Sequence, residues 1–150
     1  CCCCGCFYCC GSCCDKFRDP PEGTKTIKEL HEDCKDWKTG DLILERSPDT
    51  LGNNLVKATS NTPWTHCGIV WVDRNTNIVN FIEITLTLDY HVAPVGEHYE
   101  KELAKEKTEQ RYMAHRPLEQ TLTDEQLAKF EEGMDALKYK PYDESADQFG

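Results

Sequence analysis

The sequence predicts an α+β domain, an antiparallel sheet packed against helices. Two capping-box spacings, Thr26 with Glu29 and Thr123 with Gln126, open a helix near each end. Between them lie short apolar runs, separated by segments rich in Asn, Asp, Thr and Gly, which is the pattern of strands and turns. At 150 residues the chain holds one domain with a sizeable core and not two.

The elements follow in order. Residues 1–14 are a low-complexity tract with nine of the eleven cysteines. Residues 15–23 read as an extended linker, because Pro20 and Pro21 fix φ and deny helix to their predecessors. Residues 1–23 are therefore expected to be a disordered Cys-rich tail and linker, and 24–150 the folded domain. A first helix fits 26–37, where Ile27, Leu30, Cys34 and Trp37 recur on one face and Gly40 stops the helix. A strand fits 41–46. Residues 47–63, rich in Asn, Ser, Thr and Pro, read as a long surface loop of the kind that borders active sites.

The strongest strand is 65–72, apolar on both faces as a central strand is. Residues 73–77 are a turn by composition and 78–85 the returning strand. Residues 86–95 offer a short further strand. The charged stretch 97–110 reads as an exposed helix or a mobile excursion, and 111–118 as another strand. In the last helix, Asp124 and Glu125 suit the dipole, and Leu127, Phe130, Met134 and Leu137 form a stripe read as core packing. Residues 138–143 end it.

Charge narrows the function. Lys and Arg total 17 against 27 Asp and Glu, a formal net charge of -10. That excludes a nucleic-acid binder, which needs a basic face to displace counterions, and a general electrostatic grip on anionic lipid. No apolar run approaches the ~20 residues that span a bilayer. With only Cys34 and Cys67 outside the tract, the body lacks the spread cysteines of a secreted disulfide scaffold and reads as a reduced, cytosolic domain.

His66 and Glu83 are the pair with chemical potential. A turn centred between Arg74 and Asn75 sets them directly opposite on one sheet face, Cβ atoms roughly 4.5–5.5 Å apart. A turn slipped by one residue makes them diagonal and still within reach. The carboxylate then fixes the imidazole tautomer and leaves the second nitrogen to act as a base. The plain alternative is a satisfied, partly buried histidine beside a strand-edge carboxylate. His31 falls in the first helix, and His91, His98 and His115 lie in segments the sequence does not position. None makes metal-ligand spacing with Cys34 or Cys67. There is no phosphate-cradling glycine loop and no G-x-S-x-G elbow, so no cofactor, metal or nucleotide is called for. As nucleophiles, Cys67 and Cys34 are poor candidates. Cys67 points away from its neighbour His66 and reads as a small core residue, and Cys34 sits on an apolar helix face that keeps a thiol protonated.

Taken together, Gly40-Asp41-Leu42-Ile43, a polar loop, Pro63-Trp64-Thr65-His66-Cys67-Gly68-Ile69-Val70 and then Phe81-Ile82-Glu83 resemble the circularly permuted NlpC-type, papain-like family (YiiX/YaeF-like). Lecithin:retinol acyltransferase-like enzymes are more distant relatives. Lys140-Pro141-Tyr142-Asp143 with Phe149 is similar to the family's G-K-P-Y-D-x-x-F stretch, with Tyr139 in place of the glycine. The resemblance runs from about Trp37 to Gly150. It implies a permuted papain-like fold, His66 as catalytic histidine, Glu83 as the residue orienting it, and a thiolate mechanism on a small amide, peptide or acyl-lipid substrate. The family's nucleophile opens a helix beyond the Tyr-Asp-x-x-Phe stretch. With no Met at position 1, the chain is expected to be a fragment whose cysteine lies past residue 150. The alternative is a catalytically inactive papain-like binding module.

The cysteine tract admits three readings. Cys1, Cys2, Cys3, Cys4, Cys6, Cys9, Cys10, Cys13 and Cys14 beside Phe7 and Tyr8 look like a cysteine string carrying several S-acyl chains, which would tether the domain to a membrane. Cys6-x-x-Cys9 and Cys10-x-x-Cys13 have metal-knuckle spacing, though no histidine accompanies them. A disordered or artefactual terminus is the third. S-acylation is the reading adopted, giving a cytoplasmic domain with membrane association through its tail.

Overall fold

The computed structural model describes residues 20, 23–47, 51–85, 89–106 and 111–138. The cysteine tract, most of the linker, and Lys140-Pro141-Tyr142-Asp143 with Phe149 lie outside the described residues. The elements are α1 (Ile27–Asp33) with a 3-10 turn (Cys34–Asp36), β1 (Leu42–Arg46), α2 (Leu51–Ser60), β2 (His66–Val72), β3 (Val79–Thr85), β4 (Asp89–Pro94), α3 (Val95–Leu103), β5 (Tyr112–Arg116) and α4 (Asp124–Leu137). The architecture is α+β. All five strands form one antiparallel sheet in the order β4-β3-β2-β1-β5.

Both sequence-predicted capping boxes form. Thr26 accepts from the Glu29 amide while the Glu29 carboxylate takes the Thr26 amide, and Thr123 and Gln126 do the same for α4. Gly40, at φ +98°, lets the chain turn sharply from the 3-10 segment into β1, and its amide donates to the Val70 carbonyl at 3.0 Å. The adjoining Asp41 is a structural clasp. Its carboxylate accepts from the Lys38 amide (3.1 Å), the Leu118 amide (2.9 Å) and His115 Nε2 (2.7 Å), and Trp37 stacks on the His115 ring at 4.3 Å. This joins the entry to β1 with the exit from β5.

The core lies on the face covered by α1 and α3. Ile27, Leu30, Trp37, Ile43, Val70, Phe81, Val95, Tyr99 and Met113 form one buried cluster. Fully burying a side chain such as Leu30, Ile43 or Phe81 contributes roughly 1.5–3 kcal/mol.

Five expectations are corrected. The 47–63 loop contains α2: Thr59 and Ser60 hydroxyls bond back to the Val56 carbonyl at 3.1 and 2.6 Å, so polar residues that read as loop are satisfied within a helix. The charged stretch after Pro94 is not an exposed helix, because α3 buries Val95, Tyr99 and Glu102 at helical spacing. The sheet is not covered equally on both faces. Cys67 and Ile69 of β2 are exposed, so Cys67 is no core residue. Nor is the α4 stripe packed core. Leu127, Phe130 and Met134 are half-buried and Leu137 exposed, because α4 stands off the opposite sheet face across an open cleft. Finally, the β2–β3 turn is centred between Asn75 and Thr76, one residue later than expected. Asp73 closes it, its amide donating to the Ile78 carbonyl and its carboxylate accepting from the Asn75 amide and the Thr76 hydroxyl, while Asn77 takes φ +58°.

Candidate active site

The slipped turn sets the register as Ile69 on Ile82 through Val72 on Val79, which makes His66 and Glu83 diagonal rather than directly opposed. A slip of one residue at the turn moves partners by two positions, so both side chains keep the same face. His66 Nε2 donates to Glu83 Oε2 at 2.9 Å. Glu83 is 7% exposed and His66 24%, so the acceptor is buried and the imidazole reaches solvent on one side.

The hydrogen bond from His66 holds the Glu83 carboxyl below its ordinary value, against burial and the nearby Glu45 charge, which push the other way. A carboxyl depressed in the folded state contributes stability that is present above its unfolded value, near 4.5, and is lost as pH falls through the folded value. Glu83→Gln is therefore expected to destabilise the protein at pH 7, with the deficit shrinking as pH falls below about 4.5. Urea unfolding of both proteins from pH 7 to pH 3 checks this, and a constant deficit across that range contradicts it.

Glu45, His98 and Arg111 complete the cluster, and sequence reasoning missed all three. Glu45 is fully buried, one strand over from His66. Its Oε1 accepts from His98 Nε2 at 2.9 Å and its Oε2 from Arg111 Nη1. Burial pushes the Glu45 carboxyl up, but the His98 hydrogen bond and the Arg111 charge outweigh it and hold the group ionised, below its ordinary value. Two of the five residues of β1, Glu45 and Arg46, are charged and buried. Glu45 stands in phase with Ile43 on the core face, and that phase was the signal in the sequence, since a charge at a strand's inward position implies a buried partner.

The two candidate thiols do not join the cluster. Cys67 alternates to the opposite sheet face from His66, as its adjacency requires. Cys34 donates to the His31 carbonyl at 3.1 Å, and burial pushes its thiol up, toward the inert form. Cys67 therefore presents its thiol away from the imidazole, although it lines the same cleft as His66 and Glu83, and Cys34 caps α1. Among the described residues no group of three His, Cys, Asp or Glu is placed to hold a metal ion, and no helix is long and apolar enough to cross a membrane.

What these residues define is an α+β domain bearing a buried carboxylate–imidazole dyad on the covered face of its sheet. No protein-family model and no curated protein matches the chain.

Proposed function

We propose that the chain is the larger part of a cysteine hydrolase or acyltransferase of the permuted papain-like class, with His66 as base and Glu83 as the residue that orients it. The 2.9 Å contact between a part-exposed imidazole and a buried carboxylate carries this reading, because it fixes the ring and commits Nε2, leaving Nδ1 to exchange a proton with a reacting group. The thiol is assigned to a segment past residue 150 because the family that the chain resembles carries its nucleophile beyond the Tyr-Asp-x-x-Phe stretch; of the cysteines among the described residues, Cys34 and Cys67, neither suits the role. His66 takes the thiol proton, the thiolate attacks the substrate carbonyl, and the leaving amine or alkoxide departs with that proton from His66. Water or another acceptor, deprotonated by His66, then attacks the thioester and regenerates the thiol. The substrate class is an amide, peptide or acyl lipid, and no cofactor takes part.

His66→Ala in the protein that carries its downstream segment is expected to lower turnover by about two orders of magnitude or more. The unfolding midpoint at pH 7 should fall as well, because buried Glu83 loses the hydrogen bond that stabilises its charge, so turnover is compared where both forms are folded. Retained turnover overturns the reading. Absence of turnover in both forms, across peptide amides and acyl esters, turns it toward a binding module.

A further inference from the structure

His66 and Glu83 belong to a larger charged cluster on the covered sheet face. Glu45 is the β1 ladder partner of His66, so their Cβ atoms project side by side. From α3, His98 donates to Glu45 and its ring packs against Phe81 at 4.9 Å. Also from α3 come the buried Tyr99 hydroxyl, unpartnered among the described residues, and Glu102, which holds Lys105. From β4, His91 is the ladder partner of Glu83. Arg111, just before β5, donates to Glu45 and faces Glu102 at 3.7 Å. Burial alone would push its guanidinium down, but the Glu45, Glu102 and Glu83 carboxylates hold it above its ordinary value.

The charges can be counted. Glu102 and Lys105 offset each other. Glu45, Glu83 and Arg111 then leave one surplus negative charge while the imidazoles are neutral. When His66 takes up a proton, that surplus is cancelled. In a buried setting a second carboxylate favours that step and a guanidinium opposes it.

We propose that Glu45 and Arg111 are positioning residues for the dyad, a fixed charge pair of opposite influence that sets how readily His66 accepts the reaction's proton. The proposal rests on the catalytic reading of His66 given above. Neither residue touches the reacting atoms. Each acts through the imidazole, Glu45 across the ladder and Arg111 by pairing with Glu45.

The test follows proton uptake at His66 by NMR of its ring resonances, in the 150-residue chain and in Glu45→Gln, Arg111→Gln and Arg111→Lys. Glu45→Gln is expected to move the uptake midpoint down and Arg111→Gln to move it up. Arg111→Lys, which keeps the charge, should stay near the parent. A merely structural role would not give opposite signs. An unmoved midpoint in Glu45→Gln, or shifts of the same sign in both Gln variants, overturns the proposal. Should Arg111→Gln fail to fold, Glu45→Gln and Arg111→Lys decide it, since Glu45→Gln keeps groups to pair with His98 and Arg111. In the protein with its downstream segment, the acid limb of kcat/KM should move with the NMR midpoints. Shifts by NMR without turnover would remove the catalytic reading while leaving the electrostatic coupling in place.

Discussion

Arg111→Met is expected to cost about 3–5 kcal/mol, a large share of the roughly 5–15 kcal/mol that holds a domain together. The cause is what the substitution leaves behind. Glu45 is fully buried and Glu102 nearly so, and the guanidinium is the one full positive charge on Glu45 among the described residues. Without it, His98 still donates to Glu45, but an ionised carboxylate remains in the core with its main counter-charge gone. The carboxyl then relieves part of the cost by taking up a proton. Its folded value rises above the unfolded one, so the penalty is greatest at high pH and narrows as pH falls. Urea unfolding at pH 8 and pH 5 measures both features. Adding Glu45→Gln to Arg111→Met should recover part of the loss, because the neutral pair no longer strands a charge. A deficit under 1 kcal/mol, or one independent of pH, would show that the guanidinium is not what neutralises Glu45.

The Arg111 pair also marks where sequence reading stops. Local signals were sufficient for α1 and α4, whose capping boxes lie within four residues, and for the β2–β3 hairpin, whose turn residues are adjacent. The His66–Glu83 contact survived a misplaced turn centre because moving the centre by one residue shifts the pairing by two positions, which preserves the face. Glu45, His98 and Arg111 are 53 and 66 positions apart along the chain, and no local period brings them together. Their meeting depends on β1 pairing with β5 and on α3 folding back over β3, both long-range events. The charged composition of α3 hid its buried face for a related reason. Val95, Tyr99 and Glu102 form the inward stripe, and a glutamate in that stripe registers as solvent-facing until Arg111 and Lys105 are seen beside it.

Cys67 shows the opposite failure. An apolar run predicts burial on both faces, yet the sheet is densely covered only by α1 and α3. On the other side a cleft of about 600 Å³ separates Ile69, Ile82 and Ile84 from Phe130, Met134 and Leu137. The run's hydrophobicity was legible. How closely α4 approaches the sheet was not, because amphipathicity says which face points inward and nothing about the distance.

Gly68→Ala is the second large effect expected, about 3 kcal/mol of destabilisation, at the upper end for an overpacked core. A Cβ built at Gly68 lies 2.0 and 2.3 Å from ring atoms of Phe81 and 2.7 Å from the Ile82 carbonyl oxygen. The backbone cannot retreat, because Gly68 pairs with Ile43 on one side and the β2–β3 ladder begins at the next residue on the other. Phe81 cannot easily yield either, since it is fully buried and its ring packs on His98. Replacing glycine in a strand ordinarily helps by up to ~1 kcal/mol through the unfolded chain, so the predicted sign is a real discrimination between the two effects. Pairing the change with Phe81→Leu should return part of the stability by vacating the space the methyl group needs. The displaced ring would push toward His98, and through it toward Glu45 and the His66–Glu83 contact. The single variant is therefore expected to disturb the His66 ring resonances as well as the unfolding midpoint. Loss of stability with those resonances unchanged would mean that the strain is absorbed before it reaches the dyad.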